Sequence, residues 1–117
     1  MTLESGQKTF EYLSKSNSQC RTLFAKRMIQ IALERDSVDR EACIAYFKEA
    51  YINDLIKKEE IRRGFDLIYI DLDEILIDNP HAIEHLMHML LRIVYDAHLF
   101  TESFFIRLPD ILLNLQT

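Results

Sequence analysis

The spacing of apolar residues constrains the fold of this chain more than any other feature. Apolar side chains recur every three or four residues along almost the whole sequence, which is the period of one face of an α-helix. Alternation with a period of two, typical of a β-strand, is confined to short runs such as 67–72. Only two glycines and two prolines are present, too few for the many turns of an all-β fold. The sequence therefore predicts an all-α fold.

Helix start and stop signals divide the first two thirds of the chain into three helices. Residues 19–34 form one amphipathic segment, and Asp36 is a suitable N-cap for a second helix that ends near Asn53. A third helix begins near Lys57, and we expect Gly64 inside it to allow close approach of a neighbouring helix. The predicted apolar faces are Leu23, Phe24, Met28, Ile31 and Ala32 in the first helix, Ala42, Cys43, Tyr46, Phe47, Ala50 and Tyr51 in the second, and Ile61, Phe65 and Ile68 in the third.

The segment 71–79 interrupts this pattern and is predicted to be a loop. Asn79 and Pro80 are favoured at an N-cap and at a first helical position, so they predict the start of a long helix. Its predicted apolar face is Ile83, Leu86, Met87, Leu90, Val94 and Ala97, with His81, His85, His88, Arg92 and Asp96 on the opposite face. Thr101 is predicted to cap a short helix over Phe104 and Phe105, which Pro109 interrupts before a last apolar turn at 110–115.

These segments give five or six antiparallel helices with short loops and no domain boundary. A single domain over residues 1–117 that stacks helical hairpins, as α-solenoids do, is the simplest architecture. The predicted core includes Phe24, Met28, Phe47, Phe65, Ile68, Met87, Leu90 and Val94.

Charge and cysteine content exclude several classes of protein. The chain has 14 Lys and Arg against 19 Asp and Glu, a net charge of -5, which opposes tight direct binding to nucleic acid or to anionic membranes. Cys20 and Cys43 are too few for a disulfide framework and lack C-x-x-C spacing, so we expect two buried thiols in a reducing compartment. The N-terminus lacks the features of a secretory signal, and no apolar stretch is long enough to span a membrane.

Catalytic and metal-binding motifs are also missing from the sequence. It has no Gly-rich phosphate loop, no Gly-x-Ser-x-Gly and no His-Glu-x-x-His, so we expect neither an enzyme nor a cofactor. His81, His85 and His88, with Asp78 one turn earlier, have a spacing that could hold zinc. Because this stripe lies opposite the apolar face, a solvated or partner-facing stripe is the preferred interpretation, and no metal is expected.

Three stretches together match one family pattern. Residues 24–41 contain Leu-Glu-Arg at the end of a helix followed by Arg-Glu at the start of the next. Residues 55–65 contain an isoleucine, a polar turn and Gly-Phe, with Lys57 in place of the usual Thr or Ser cap. Residues 72–82 contain a leucine, two acids, three apolar residues, Asp, any residue and Pro, with Asn79 where the family usually has an apolar residue or Thr. In these stretches the chain resembles the MA3 domain, a module of eukaryotic initiation factor four-G and of programmed cell death protein four.

The resemblance covers roughly residues 20–108 and implies a fold of stacked hairpins, a right-handed α-solenoid fragment like HEAT and armadillo repeats. It fails at residues 1–18. The family opens with a helix containing Tyr-Leu and then a second helix, whereas here Tyr12 and Leu13 come only eleven residues before Phe24. This part is therefore atypical, with a first hairpin that is either shortened or missing its opening helix.

The resemblance also implies a function and a site. Family members bind a DEAD-box RNA helicase of translation initiation, initiation factor four-A, so we expect a protein-binding module that regulates or scaffolds translation initiation in the cytoplasm or nucleus. Carried over by position, the contacting acids are Glu74 and Asp78, with Asp73 adjacent; Asp71 adds a fourth acid within eight residues.

Two other interpretations of the acidic segment stay open. It could be a solvated connector, and Asp78 also suits the positive end of the following helix. The alternative function is a structural helical scaffold in another RNA-processing complex, such as splicing or surveillance machinery, with a different protein partner.

Overall fold

A computed structural model of the chain describes residues 11–93, and all regular secondary structure in that range is helical. The helices are α1 (residues 11–15), α2 (Ser18–Leu33), α3 (Ser37–Ile52), α4 (Lys58–Ile70), α5 (Leu72–Asp78) and α6 (Ala82–Leu91). The prediction of an all-α fold is confirmed. The predicted positions of Val94, Asp96, Ala97, Thr101, Phe104, Phe105, Pro109 and the turn at 110–115 lie outside the described residues.

Side-chain caps fix where the first long helices begin. The Asn17 side chain accepts a hydrogen bond from the Cys20 backbone N–H at 2.9 Å, and α2 starts directly after Asn17, at Ser18. The Asp36 carboxylate accepts one from the Asp39 N–H at 3.0 Å, as its sequence position predicts. After Asn53 the chain turns through Asp54, which has a left-handed backbone with φ 58°. The predicted bounds of α2 and α3 are therefore confirmed to within a residue or two.

Helix α4 is fixed at its start by Glu60, whose carboxylate accepts a hydrogen bond from the Lys57 backbone N–H at 2.9 Å. The same carboxylate receives the Arg21 guanidinium of α2 at 2.8 Å and is only 1% exposed. Further along α4, a Cβ placed on Gly64 would lie 2.9 Å from the Ala25 Cβ and 3.0 Å from the Lys26 backbone nitrogen. The close helix approach expected at Gly64 is thus present, and it occurs between α2 and α4.

The core is formed mainly by residues of α2, α3, α4 and α6. Helix α2 packs most extensively against α4, and α6 packs against both α2 and α3. Phe47, Phe65, Ile68 and Leu90 are fully buried, as predicted, whereas Phe24, Met28 and Met87 are partly buried at the edge of the core. The other fully buried large side chains include Ile29, Leu33, Ile61, Leu86, Met89 and Ile93.

The predicted buried face of α2 is wrong in part. Leu23 is 52% exposed and Ile31 38% exposed, while the residues that α2 buries are Thr22, Ala25, Ile29, Ala32 and Leu33. The contact with Gly64 explains the difference, because two backbones this close admit only a small side chain such as Ala25 between them. Cys43 is buried as predicted, but Cys20 is partly exposed.

The start and the polar face of α6 also differ from the prediction. The helix begins at Ala82, with His81 rather than Asn79 at the N-cap. Ala82, Leu86, Met89 and Leu90 are its buried residues, so Ile83 and Met87 lie at the margin. Part of the predicted polar stripe contacts α2 and α3: His85 Nδ1 lies 3.0 Å from the Leu33 carbonyl oxygen, and Glu41 of α3 contacts His88 at 3.4 Å and Arg92 at 2.8 Å. The stripe is therefore only partly solvated, and His81 is its exposed member in α6 and its N-cap.

Candidate partner-binding surface

The segment predicted to be an acidic loop is a helix. Helix α5 covers Leu72–Asp78, and backbone hydrogen bonds run from the Ile75 N–H to the Asp71 carbonyl and from the Asn79 N–H to the Ile75 carbonyl. Leu72 is 1% exposed, and Ile75 packs against the core. Leu72, Ile75 and Leu76 have the i, i+3, i+4 spacing of a buried helical stripe, a signal that the high acid content obscured.

The other side of α5 carries the residues singled out from the sequence. Asp73, Glu74, Ile77 and Asp78 are all exposed, and their spacing places them on the outward side of the helix. We call these four residues the outward face of α5. The structure therefore brings together three of the four predicted site residues: Asp73, Glu74 and Asp78.

The three acids of the outward face have no charged partner within residues 11–93. None of the ion pairs in that range includes Asp73, Glu74 or Asp78. The sequence contains no Lys or Arg from Gly64 to Leu91, so α5 has no neighbouring cation on its own stretch of chain. Unpaired carboxylates concentrated in this way produce a negative potential that attracts a basic surface.

Asp71 is placed differently from the other acids. Asp71 is the single residue between α4 and α5, and its Oδ2 lies 2.6 Å from the Lys26 Nζ of α2. Asp71 thus joins the start of α5 to α2. Within residues 11–93 its carboxylate is paired, unlike those of Asp73, Glu74 and Asp78.

The other end of α5 is attached to the same helix. The Asn79 side-chain amide donates a hydrogen bond to the Leu33 carbonyl at 2.5 Å, at the end of α2, where carbonyls lack intrahelical partners. Lys26 and Leu33 are seven residues apart, or about 10 Å along a helix. Helix α5 is therefore fastened to α2 both before and after its seven residues.

Asp78 has no visible role in starting α6. It is the last residue of α5, and α6 begins four residues later behind an N-cap with no side-chain hydrogen bond. A carboxylate at the C-terminal end of a helix lies near the negative end of the helix dipole, so the Asp78 charge does not stabilise α5 either.

A mainly apolar groove of about 330 Å³ lies between α2 and α3, lined by residues that include Met28, Ala42 and Tyr46. Cys43 also lines it, and burial raises the pKa of its thiol to about 12, so the thiol stays protonated and unreactive near neutral pH. Residues 11–93 contain no group of three His, Cys, Asp or Glu side chains arranged to hold a metal ion.

No helix within residues 11–93 is both long enough and apolar enough to cross a bilayer.

Comparison with known proteins agrees with the helical architecture and the motif pattern. The MA3 domain family pattern matches residues 2–100, and so begins well before the three motif stretches. The chain is 28% identical over 86 residues to MA3 domain-containing translation regulatory factor 3 of Arabidopsis thaliana, covering 74% of this chain and 12% of that protein. It is 29% identical over 85 residues to translation regulatory factor 2 of the same plant, covering 72% of this chain and 12% of that protein.

The chain therefore spans about an eighth of the length of these relatives, with 12% of each covered. No solved structure matches it significantly. MA3 domains are HEAT-like, non-catalytic modules that bind proteins, and the packing of α2 against α4 and of α6 against α2 and α3 fits such a stack. With a match that covers most of its length, this chain belongs to the MA3 domain family.

Proposed function

We propose that this domain binds a DEAD-box RNA helicase of the initiation factor four-A type through the outward face of α5, and so regulates or scaffolds translation initiation. The observation that carries the proposal is the exposure of Asp73, Glu74 and Asp78 on one side of a helix that is fastened at both ends. The names of the two relatives, both translation regulatory factors, support the process.

The roles of the acids follow from their positions. Glu74 and Asp78 are one helical turn apart, so both carboxylates can contact basic side chains of one flat protein surface. Asp73 lies beside Glu74 and raises the local negative potential. Asp71, through Lys26, keeps the start of the helix in place.

Charge should act first on the rate of encounter. A negative surface steers a basic partner towards it, and this effect weakens as salt screens the field. Carboxylates that lose their water in the complex also slow dissociation, and truncating one partner of such a buried charge pair typically costs about 2–5 kcal/mol of binding.

The test is a titration of the helicase's N-terminal RecA-like domain with the wild-type chain and with Glu74→Lys/Asp78→Lys. The proposal expects at least a thirtyfold loss of affinity in this variant, the equivalent of about 2 kcal/mol. Glu34→Lys/Glu49→Lys is the matched control, because it changes net charge equally at exposed positions on α3 and at the end of α2.

Circular dichroism and a thermal melt of each variant keep folding separate from binding. With Asp78 outside the N-cap of α6, we expect the acid variant to keep its stability to within about 0.5 kcal/mol. Equal affinity of the wild type and the acid variant would remove α5 from the interface. An absence of binding by the wild type would remove the helicase as the partner.

A further inference from the structure

The outward face of α5 contains one apolar side chain, Ile77, which has no role in the proposed pairing of its acids with a basic partner. Ile77 is 81% exposed, the highest value among the large apolar side chains of residues 11–93. The next highest is Ile70 at 75%, the last residue of α4, which precedes α5 in the chain. Single exposed aliphatic residues are common on protein surfaces, so the neighbours of Ile77 decide whether it has a role.

The other three members of the outward face are all carboxylates. Ile77 lies one turn after Asp73 and Glu74 and next to Asp78, while the remaining apolar residues of α5, Leu72, Ile75 and Leu76, have the spacing of its inner stripe. Protein interfaces commonly place an apolar anchor at the centre of a polar rim, because the rim keeps water away from the anchor. The outward face of α5 has this composition on a small scale.

We propose that Ile77 is the apolar anchor of this face, and that the partner surface is a protein pocket lined by aliphatic groups and rimmed by Lys or Arg side chains. The inference rests on the proposed function, since it concerns the same face. The basic charge of the partner's rim is inferred by complementarity, because residues 64–91 of this chain contain six acids and no Lys or Arg. The acids are Asp66, Asp71, Asp73, Glu74, Asp78 and Glu84.

The two kinds of residue should affect different rate constants. Long-range attraction by carboxylates changes the association rate and its salt dependence. Burial of an isoleucine acts only at contact, so its loss appears in the dissociation rate. Replacing Ile77 by Ser removes apolar surface worth at least tenfold in affinity when fully buried.

The experiment compares Ile77→Ser with Ile52→Ser, a matched control at an exposed isoleucine, 64% accessible, at the end of α3. Two probes are used with the full chain. One is the helicase N-terminal domain, measured by surface plasmon resonance. The other is a synthetic helical peptide of Leu and Lys, measured by amide shifts in nuclear magnetic resonance beside a peptide with Ser in place of Leu.

The proposal expects Ile77→Ser to raise the dissociation rate about tenfold with little change in association, and Ile52→Ser to behave as wild type. If the helicase domain binds the wild type, the change in its dissociation rate with Ile77→Ser decides whether Ile77 is the anchor. If only the Leu-Lys peptide binds, and Ile77→Ser weakens it, the anchor stands and the helicase assignment falls. Unchanged binding in Ile77→Ser overturns the anchor while leaving the acids in place, and a wild type that binds neither probe overturns both proposals.

Discussion

Gly64 of α4 lies directly against Ala25 of α2, with no room for a side chain between the two backbones. A methyl group at position 64 would meet the Ala25 Cβ at 2.9 Å and the Lys26 backbone nitrogen at 3.0 Å. The backbone atom cannot rotate away, so the helices would have to separate. This contact sets the distance between the two helices that form most of the core.

Gly64→Ala is therefore expected to destabilise the domain although alanine is the better helix former. Overpacking typically costs about 1–3 kcal/mol, which exceeds or cancels the roughly 1 kcal/mol gained in helix propensity. The measurement is the urea midpoint of unfolding, followed by circular dichroism. Adding Ala25→Gly should recover part of the loss, because it removes one of the two clashing groups; strictly additive effects would show that the residues do not interact.

Phe65, the next residue, tests the position of the core. Its side chain is fully buried, so Phe65→Ala should lower the free energy of unfolding by about 3–5 kcal/mol. Leu23→Ala is the control, because Leu23 was predicted on the apolar face of α2 and is 52% exposed. Equal losses in the two variants would contradict the orientation of α2.

Glu60 should make stability depend on pH. Burial raises the pKa of its carboxyl, but hydrogen bonds from Arg21, Ser18 and the Lys57 backbone outweigh burial, and the net pKa is lowered. A lowered pKa stabilises the fold above the unfolded value of about 4.3, and this contribution is lost as the pH falls through the folded value. Unfolding free energies measured from pH 7 down to pH 3 should fall less steeply in Glu60→Gln than in the wild type.

Glu60→Gln and the wild type should also differ in their free energy of unfolding at neutral pH. At neutral pH Glu60→Gln should be less stable than the wild type, because Arg21 loses its charged partner and hydrogen bonds to charged groups contribute about 1.5–3 kcal/mol. Parallel pH curves for the two proteins would show that another group titrates in this range.

Asn79→Ala tests the attachment of α5. Loss of its bond to the Leu33 carbonyl should speed hydrogen exchange in α5 more than in α2, since that carbonyl keeps the nearby His85 ring as a partner. The expected loss of global stability is about 1 kcal/mol. His81→Ala is a suitable control, because the His81 side chain is exposed and its contacts, with the Glu84 carboxylate and the His85 ring, lie within four residues of it in the chain. Exchange that rises equally along the whole chain would mean that α5 has no separate attachment.

Periodicity predicted the elements well where one face of a helix is strongly apolar. Asp36, Asn53 and Lys57 mark helix ends as expected, because caps and stops depend on local backbone chemistry. Phe47, Phe65 and Ile68 are buried because large apolar groups on such a face remove the most apolar surface from water.

The errors have a different origin. The buried face of α2 depends on the fit between Ala25 and Gly64, two residues 39 positions apart, and ranking by hydrophobicity favours Leu23 instead. Helix α5 is only seven residues long, so its inner stripe contains a single repeat. Its candidate site residues were selected through the family motif, whereas the pairing of Asp71 with Lys26 involves a distant helix and could not be predicted from the motif.

The two attachments of α5 also affect the thermodynamics of any complex it forms. Ordering a flexible loop on binding costs about 1–2 kcal/mol of backbone entropy for each residue fixed. In this domain Lys26 and Leu33 hold the two ends of the helix before a partner arrives, so that entropy is already lost on folding. In the proposed complex, the four residues of the outward face of α5 would therefore bind without that entropy cost.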